Sequence, residues 1–333
     1  MEGEFYNSMK LRVAVLYGGR SSEHEVSVRS AKAVMDGLDP ARYEKIEYFI
    51  DKEGKWNPRP ILPEPGAQPG IDVVFPVLHG TFGEDGAIQG LLELAGLPYV
   101  GAGVLASSVS MDKEMTKRVC KERMLPIVDY VTVTRDNQDV ADACCCLPFP
   151  MFVKPANLGS SVGISKARNA EELKTAVAFA ARYDRKIIVE RAIAGRELEC
   201  AVLGNETPVA SLPCEILPSR EFYDYEDKYL LDRAETKVPA DLPAGTTEEV
   251  RRLAVECYRA VECEGMGRVD FLLEAATGQL YINEINTIPG FTSISMYPKM
   301  WEHCGMTFAA LIDRLIELAL ERHRRQKATR FTR

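Results

Sequence analysis

The stretch Met266-Gly-Arg-Val-Asp-Phe-Leu-Leu-Glu-Ala-Ala-Thr-Gly-Gln-Leu-Tyr-Ile-Asn-Glu-Ile-Asn286 concentrates side chains able to do chemistry. Two largely apolar runs, 267–275 and 279–286, flank Ala276-Thr277-Gly278. A three-residue connection ending in Gly suits a type I turn closed by a left-handed residue, so the segment reads as a β-hairpin. Its register sets Asp270 opposite Glu284 and Arg268 opposite Asn286, and strand residues two apart share a face. Carboxylates so placed lie about 4.5–5.5 Å apart at Cβ and repel each other, so a positive group must sit between them. Two carboxylates and an Asn amide, without His or Cys, suit Mg²⁺ or Mn²⁺ better than zinc. Mg²⁺ held by one or two carboxylates is usually completed by substrate phosphates, which makes a nucleotide-dependent enzyme the first expectation. The competing reading is a surface hairpin with solvated acids; the Arg and Asn on the same face weigh against it.

Other segments supply complementary groups. Asn157-Leu-Gly-Ser-Ser-Val-Gly163 is a small-residue loop beside Lys154, with a strand expected over 162–166. Glycines let backbone N–H groups approach an anion, and Ser160 and Ser161 add hydroxyls. The loop is not a Walker A motif, and a simple hairpin turn is its bland alternative. Beside Lys113 and Lys154 it becomes a candidate mobile phosphate cover. The run 187–190 followed by 192–197 pairs a strand with a crossing loop, where Glu190 and Glu197 are candidate acceptors for an adenine amine and ribose hydroxyls. Arg220-Glu-Phe-Tyr-Asp-Tyr-Glu-Asp-Lys-Tyr229 has no regular period and suits an active-site lid, with Lys228 a phosphate contact and Tyr229 a pocket wall; a surface Ω-loop is the alternative. Asn286-Thr-Ile-Pro-Gly290 leaves the hairpin directly, so the Gly290 N–H and Arg268 can share an oxyanion.

These groups require a scaffold. The buried-strand pattern 11–17, the turn Gly18-Gly-Arg-Ser-Ser22 and a helix to about 38 form a strand–turn–helix unit, with Ser21 or Ser22 as its candidate N-cap. A second strand over 71–78, a helix over 86–95 and a strand over 97–100 complete an open α/β domain, residues 1–105. Ligands bind at the carboxyl ends of such strands, where Glu23 and His79 fall. A helix over 110–124 carries Lys113; strands over 149–154 and 186–190 and a helix over 171–181 define a small α+β domain, residues 106–195. Residues 196–333 form a larger α+β domain with the lid 221–235, a closing helix over about 307–324 and a disordered basic tail over 325–333.

Composition limits the alternatives. With 333 residues, 46% hydrophobic and 27% charged, the chain is an ordinary globular protein of two or three domains. A net charge of −8 opposes broad nucleic-acid binding. No run reaches the length of a membrane span, and the acidic N-terminus has no apolar signal core; Met9 is an alternative start. Nine cysteines without a CxxC pair indicate reduced thiols rather than a disulfide framework or zinc site, and a cytoplasmic location is expected.

Taken together, Gly18-Gly-Arg-Ser-Ser-Glu-His-Glu-Val-Ser27, Leu78-His-Gly-Thr-Phe-Gly-Glu-Asp-Gly86, Ser110-Met-Asp-Lys113, Val153-Lys-Pro155, Gly159-Ser-Ser-Val-Gly163, Phe222-Tyr-Asp-Tyr-Glu-Asp-Lys-Tyr229, Gly267-Arg-Val-Asp270 and Asn283-Glu-Ile-Asn-Thr-Ile-Pro-Gly290 resemble the D-alanine–D-alanine ligase family of the ATP-grasp superfamily. The match spans nearly the whole chain. It implies an α/β ATP-grasp fold, an N-terminal open parallel α/β domain plus two α+β domains that clasp the nucleotide. By the same resemblance Lys113, Lys154, Ser160, Ser161, Glu190, Ala192, Ile193, Glu197, Phe222, Lys228 and Asn283 look like ATP-binding positions. Asp270, Glu284 and Asn286 look like ligands of two Mg²⁺ or Mn²⁺ ions. Glu23 looks like the holder of the first amino acid's ammonium, with Ser160 and Tyr229 as its network partners and His79 beside the substrate. Arg268 and Gly290 resemble the oxyanion site; Lys228, Ser295 and Met296 resemble contacts to the second substrate and the transferred phosphate. The implied reaction joins two D-alanines through an acyl phosphate for peptidoglycan precursors, in a homodimer without nucleic-acid or membrane partners. D-serine or D-lactate as second substrate, and a nucleotide-binding regulator that does not ligate, are the alternatives; Tyr229 resembles the dipeptide-forming type.

Overall fold

The computed structural model describes residues 10–136, 140–160, 162–217, 235–292 and 295–330. Ser161, Phe222, Lys228, Tyr229 and lid residues 221–234 lie outside the described residues.

The N-terminal sheet has the order β3-β2-β1-β4, built from β1 (Leu11–Gly18), β2 (Tyr43–Ile50), β3 (Trp56–Asn57) and β4 (Val73–Pro76). β1 runs parallel to β2 and β4. Val13, Ala14, Val15 and Leu16 are fully buried, which is why this strand is apolar at successive positions. The expected strand over 97–100 is reduced to one bridge, Val74 to Tyr99. Pro98 has no N–H to extend a ladder; its carbonyl instead accepts from Val74 N, 2.9 Å. The helix His24–Gly37 starts at Glu23 rather than at a serine cap. Ser21 Oγ accepts from Glu23 N at 3.0 Å and thereby shapes the turn ahead of the helix.

The second sheet has the order β5-β8-β6-β7: β5 Tyr130–Thr134, β8 Lys186–Arg191, β6 Met151–Pro155 and β7 Ser165–Ala167. β7 begins three residues later than expected, because Gly163 at φ +76° still belongs to the loop. The helix expected over 110–124 is two helices, Val104–Met111 and Lys113–Glu122. Asp112 between them is extended, and its side chain accepts from Glu114 N and Met115 N, both 3.1 Å. Lys113 is therefore the first residue of a capped helix.

The third sheet runs β12-β11-β9-β13-β14, with β12 Glu235–Lys237, β11 Cys214–Leu217, β9 Gly195–Leu203, β13 Met266–Glu274 and β14 Leu280–Asn286; β10 (Val209–Ala210) pairs with β9. Leu198, Val269 and Phe271 pack on Val250, Leu253 and Cys257 of the helix Ala244–Ala260. Alternation sends Glu197, Glu199, Arg268 and Asp270 to the other face. The helix Phe308–Lys327 runs past the expected end, and Arg325 pairs with Glu206 at 3.0 Å and with Glu264, so the basic segment is ordered through its first turn. Leu311, Ile312 and Leu315 of this helix share one core with Val13, Val15, Phe75 and Met266. The two ends of the chain thereby close over one another. All nine cysteines are free. Among the described residues no helix is long and apolar enough to cross a membrane.

Candidate active site

β13 and β14 pair with Asp270 opposite Glu284 and Arg268 opposite Asn286, as expected. The turn is longer than expected: Glu274 N donates to Gln279 O at 2.9 Å, and the register shifts between Asp270 and Phe271. Because Phe271 pairs with Ile282, Asn283 is the extra residue of a bulge. The bulge breaks the alternation of β14, leaving Asn283 and Glu284 both half-buried between Ile282 and Ile285. Lys154 Nζ donates to Asn283 Oδ1 at 3.2 Å.

On this face Arg268 makes a two-pronged bond to Asp270, with Nε and Nη2 each 2.7 Å from a carboxylate oxygen, and Nη2 also meets Glu199 at 3.2 Å. Asn286 Nδ2 donates to Asp270 Oδ2 at 2.9 Å. Glu284 is 3.3 Å from Lys113 Nζ, which also donates to Leu158 O at 2.7 Å. One ammonium therefore touches both the glycine-rich loop and the acidic face of the hairpin. The loop stem is fixed by Asn157, whose N and Nδ2 donate to Asp184 Oδ2 at 2.8 and 2.9 Å.

Glu23 is 7% exposed and accepts a short hydrogen bond from Ser160 Oγ. Ser160 is left-handed, at φ +53°, which turns its hydroxyl back towards Glu23. Glycine is required opposite: a Cβ at Gly80, itself at φ +74°, would come within 2.7 Å of Glu23 Oε2. His79 is buried, with Nδ1 3.0 Å from Ile288 O and Nε2 3.1 Å from Ser30 Oγ. The carbonyl partner requires Nδ1 to donate, so Nε2 accepts the Ser30 hydroxyl, and burial lowers the pKa of the ring. Nδ1 is thus committed to the loop after β14 and Nε2 to the helix His24–Gly37. Ser30 Oγ also accepts from Phe291 N at 3.3 Å, so Gly290 is bracketed by anchored neighbours. Ser295 ends this loop as the cap residue of the helix Met296–His303; its Oγ accepts from Thr292 N at 3.0 Å. Met296 opens that helix and packs on the core shared by the chain ends.

The residues expected beside the base lie where β8 passes into β9. Glu190 is 3% exposed and ion-paired to Lys154 at 2.7 Å and Lys117 at 2.9 Å. Burial would raise its carboxyl, but the two lysines outweigh burial and hold it down to about 2. Ala192 and Ile193 form the crossing, with Ala192 N donating to Pro150 O at 3.0 Å. Glu197 follows on β9, and its charge contributes to holding Lys154 protonated.

Three participants escaped the sequence reading. Glu199 reaches Arg268 from β9, and its placement was readable from the alternation with Glu197. Glu84 accepts from Gly80 N at 2.7 Å and Ile288 N at 3.2 Å, joining two loops that are remote in sequence. Lys117 stands one helical turn after Lys113. Among the described residues no group of three or more His, Cys, Asp or Glu side chains is placed to hold a metal ion. The candidate set has only two such side chains, Asp270 and Glu284, with the Asn286 amide as the third. Facing hard-oxygen donors on paired strands, neutralised by Arg268 and Lys113, fit Mg²⁺ or Mn²⁺.

The sequence matches the family described as D-ala D-ala ligase C-terminus over residues 119–317 and D-ala D-ala ligase N-terminus over 12–64 and 62–102. It is 77% identical over 325 residues to the D-alanine–D-alanine ligase of Solibacter usitatus, covering 98% of this chain and 100% of that protein. The ligase of the same name from Thermoanaerobacter sp. is 49% identical, with 94% and 98% covered. Among solved structures, the D-alanine–D-alanine ligase from Coxiella burnetii superposes with a TM-score of 0.86 at 41% identity, covering 96% of each chain. VanG D-Ala:D-Ser ligase from Enterococcus faecalis gives 0.85 at 34% identity, covering 93% of this chain and 99% of that one.

Proposed function

The chain belongs to the D-alanine–D-alanine ligase family and joins two D-alanines with ATP, and we propose that the ligation takes place on the acidic face of β13 and β14 beneath the glycine-rich loop. The observation that carries this placement is Lys113, which bonds the loop carbonyl of Leu158 and pairs with Glu284.

Glu23 holds the ammonium of the first D-alanine, and its hydrogen bond from Ser160 Oγ ties the glycine-rich loop to that site. Lys113 and Lys154 bind the nucleotide phosphates, with Ser161, Phe222, Lys228 and Asn283 completing the nucleotide contacts. Glu190, Ala192, Ile193 and Glu197 receive the base and ribose. The first D-alanine carboxylate attacks the γ-phosphorus, giving an acyl phosphate and ADP; this step needs alignment and charge neutralisation more than covalent help from protein. The amine of the second D-alanine then attacks the acyl carbon. Arg268 and the Gly290 N–H face the developing oxyanion, and phosphate departs as the amide forms. Arg268 is preorganised by its two-pronged bond to Asp270, so no reorientation is needed at that moment.

Asp270, Glu284 and Asn286 would hold two Mg²⁺ or Mn²⁺ ions, which supply charge neutralisation at the phosphates. Tyr229 joins the Glu23–Ser160 network from the lid, and Lys228, Ser295 and Met296 contact the second substrate. His79 lies beside the substrate and holds the Gly290 loop through Ile288 O. Closure over these groups protects the acyl phosphate from water.

In this reading residues 1–105, 106–195 and 196–333 are the three domains, each built around one sheet. The enzyme works in the cytoplasm, in keeping with its free thiols, and forms a homodimer, for which exposed Leu94 and Leu105 are candidate contacts. Phosphate release with ATP, Mg²⁺ and a panel of D-alanine, D-serine, D-lactate and L-alanine, with products identified by mass, tests the function. Release dependent on D-alanine and yielding its dipeptide supports it. Phosphate release indifferent to amino acid, or a preferred D-alanyl-D-serine product, overturns it.

A further inference from the structure

Lys117 is the least exposed charged side chain near the nucleotide-facing residues, at 1%, and the chemistry above does not use it. Its Nζ is 2.9 Å from Glu190 Oε1 and 5.7 Å from the Tyr130 ring centroid. Among the described residues it meets no acceptor besides that carboxylate. Glu190 thus carries two ammonium partners of different character. Lys154 is 12% exposed and turned towards Asn283 on the acidic face. Lys117 is enclosed between its helix and Glu190 and Tyr130 of the second sheet.

We propose that Lys117 is a positioning residue that sets base specificity: it is the permanent counter-ion of Glu190, while Lys154 is the exchangeable one. The inference rests on the reading that Glu190 faces the exocyclic group of the base. When nucleotide draws Lys154 away, a buried carboxylate without Lys117 would stand uncompensated and would take up a proton. A carboxylate only accepts hydrogen bonds, whereas a carboxylic acid also donates. The ionised form demands the 6-amine of adenine; the protonated form would tolerate the 6-oxo group of hypoxanthine. Lys117 therefore excludes 6-oxo purines without touching the nucleotide.

The test is steady-state ligation with ATP and ITP by the full-length wild type, Lys117→Met, Lys117→Arg, Glu190→Gln and the double variant Lys117→Met/Glu190→Gln. Lys117→Met should raise KM for ATP on the order of tenfold with a smaller change in kcat, and cut the ATP-over-ITP preference on the order of tenfold. Lys117→Arg should retain the preference. The double variant buries neither charge and should resemble Glu190→Gln alone, because Lys117 acts through Glu190. Should Lys117→Met fail to fold, the retained preference in Lys117→Arg and the match between the double variant and Glu190→Gln decide the matter. An unchanged preference in Lys117→Met, a lost preference in folded Lys117→Arg, or additive losses in the double variant overturns the role of Lys117. An unchanged preference in Glu190→Gln instead overturns the base-recognition reading on which it rests.

Discussion

Glu284→Gln removes one of the two facing carboxylates while keeping the side chain's shape. In the structure Glu284 is 24% exposed, and Lys113 at 3.3 Å is one of the cations that its charge faces, with Arg268 and Lys154. A pair of this kind contributes about 0–1 kcal/mol, which moves Tm by only about 3 °C. The metal should feel far more. A unit pair about 4 Å apart interacts by about 4 kcal/mol at an effective dielectric constant of about 20, and a dication doubles that. Dehydration of carboxylate and ion opposes most of it. A net loss of about 2.7 kcal/mol, or on the order of 100-fold in affinity, is expected. Asp270 keeps Arg268 and Asn286 and should hold the remaining metal weakly. Mn²⁺ titration of the ADP complex by calorimetry gives affinity directly, thermal unfolding separates it from folding, and kcat at saturating Mg²⁺ should fall at least as far. A Glu284→Gln protein that binds Mn²⁺ as tightly as wild type and ligates at near-full rate in limiting Mg²⁺ would refute the two-carboxylate site.

Arg268→Lys keeps the charge but loses the fork that meets both Asp270 oxygens at 2.7 Å, so kcat should drop on the order of 100-fold with little change in Tm; a loss under fivefold would remove Arg268 from the oxyanion site. Gly195→Ala would place a Cβ 1.9 Å from Leu273 O across the β9–β13 ladder, so denaturant unfolding should show a loss of about 2–4 kcal/mol; a loss below about 1 kcal/mol would mean that the strands separate easily there. Burial, and next the charge of Glu23, push the Glu84 carboxyl up to about 8 from an ordinary value of 4.5. A folded-state pKa above the unfolded one means that the folded protein binds more protons between those values, so this contribution is complete at low pH and is lost as pH rises through about 8. Glu84→Gln should flatten that decline, and Tm curves for wild type and variant that stay parallel from pH 5 to 9 would contradict it.

Local pattern carried a large share of this protein. Period-two alternation set Asp270, Glu284, Arg268 and Asn286 on one face, because hairpin partners lie close in sequence and one face must be apolar, but the expected three-residue turn is one residue too short, and the pairing of Asp270 with Glu284 holds only because Asn283 bulges out of β14. Unbroken apolar character marked β1, because a strand covered on both sides loses its polar alternation. Residue types at their spacings likewise marked the glycine-rich loop and the ATP-grasp resemblance. What pattern could not give was whatever depends on a partner elsewhere in the chain. The bulged Asn283 receives Lys154 from another sheet, and Asp112, which caps the helix after the break, also holds Lys186 at 2.5 Å. Glu84 reads as an ordinary loop acid until Ile288, distant in sequence, donates to it; Lys117 reads as a solvated helix lysine until β8 brings Glu190 over it. Sequence periodicity records only which face of an element is covered. The identity of the covering group is fixed when the sheets pack, and burial then turns ordinary charges into paired ones, since an unpaired charge cannot remain in the interior.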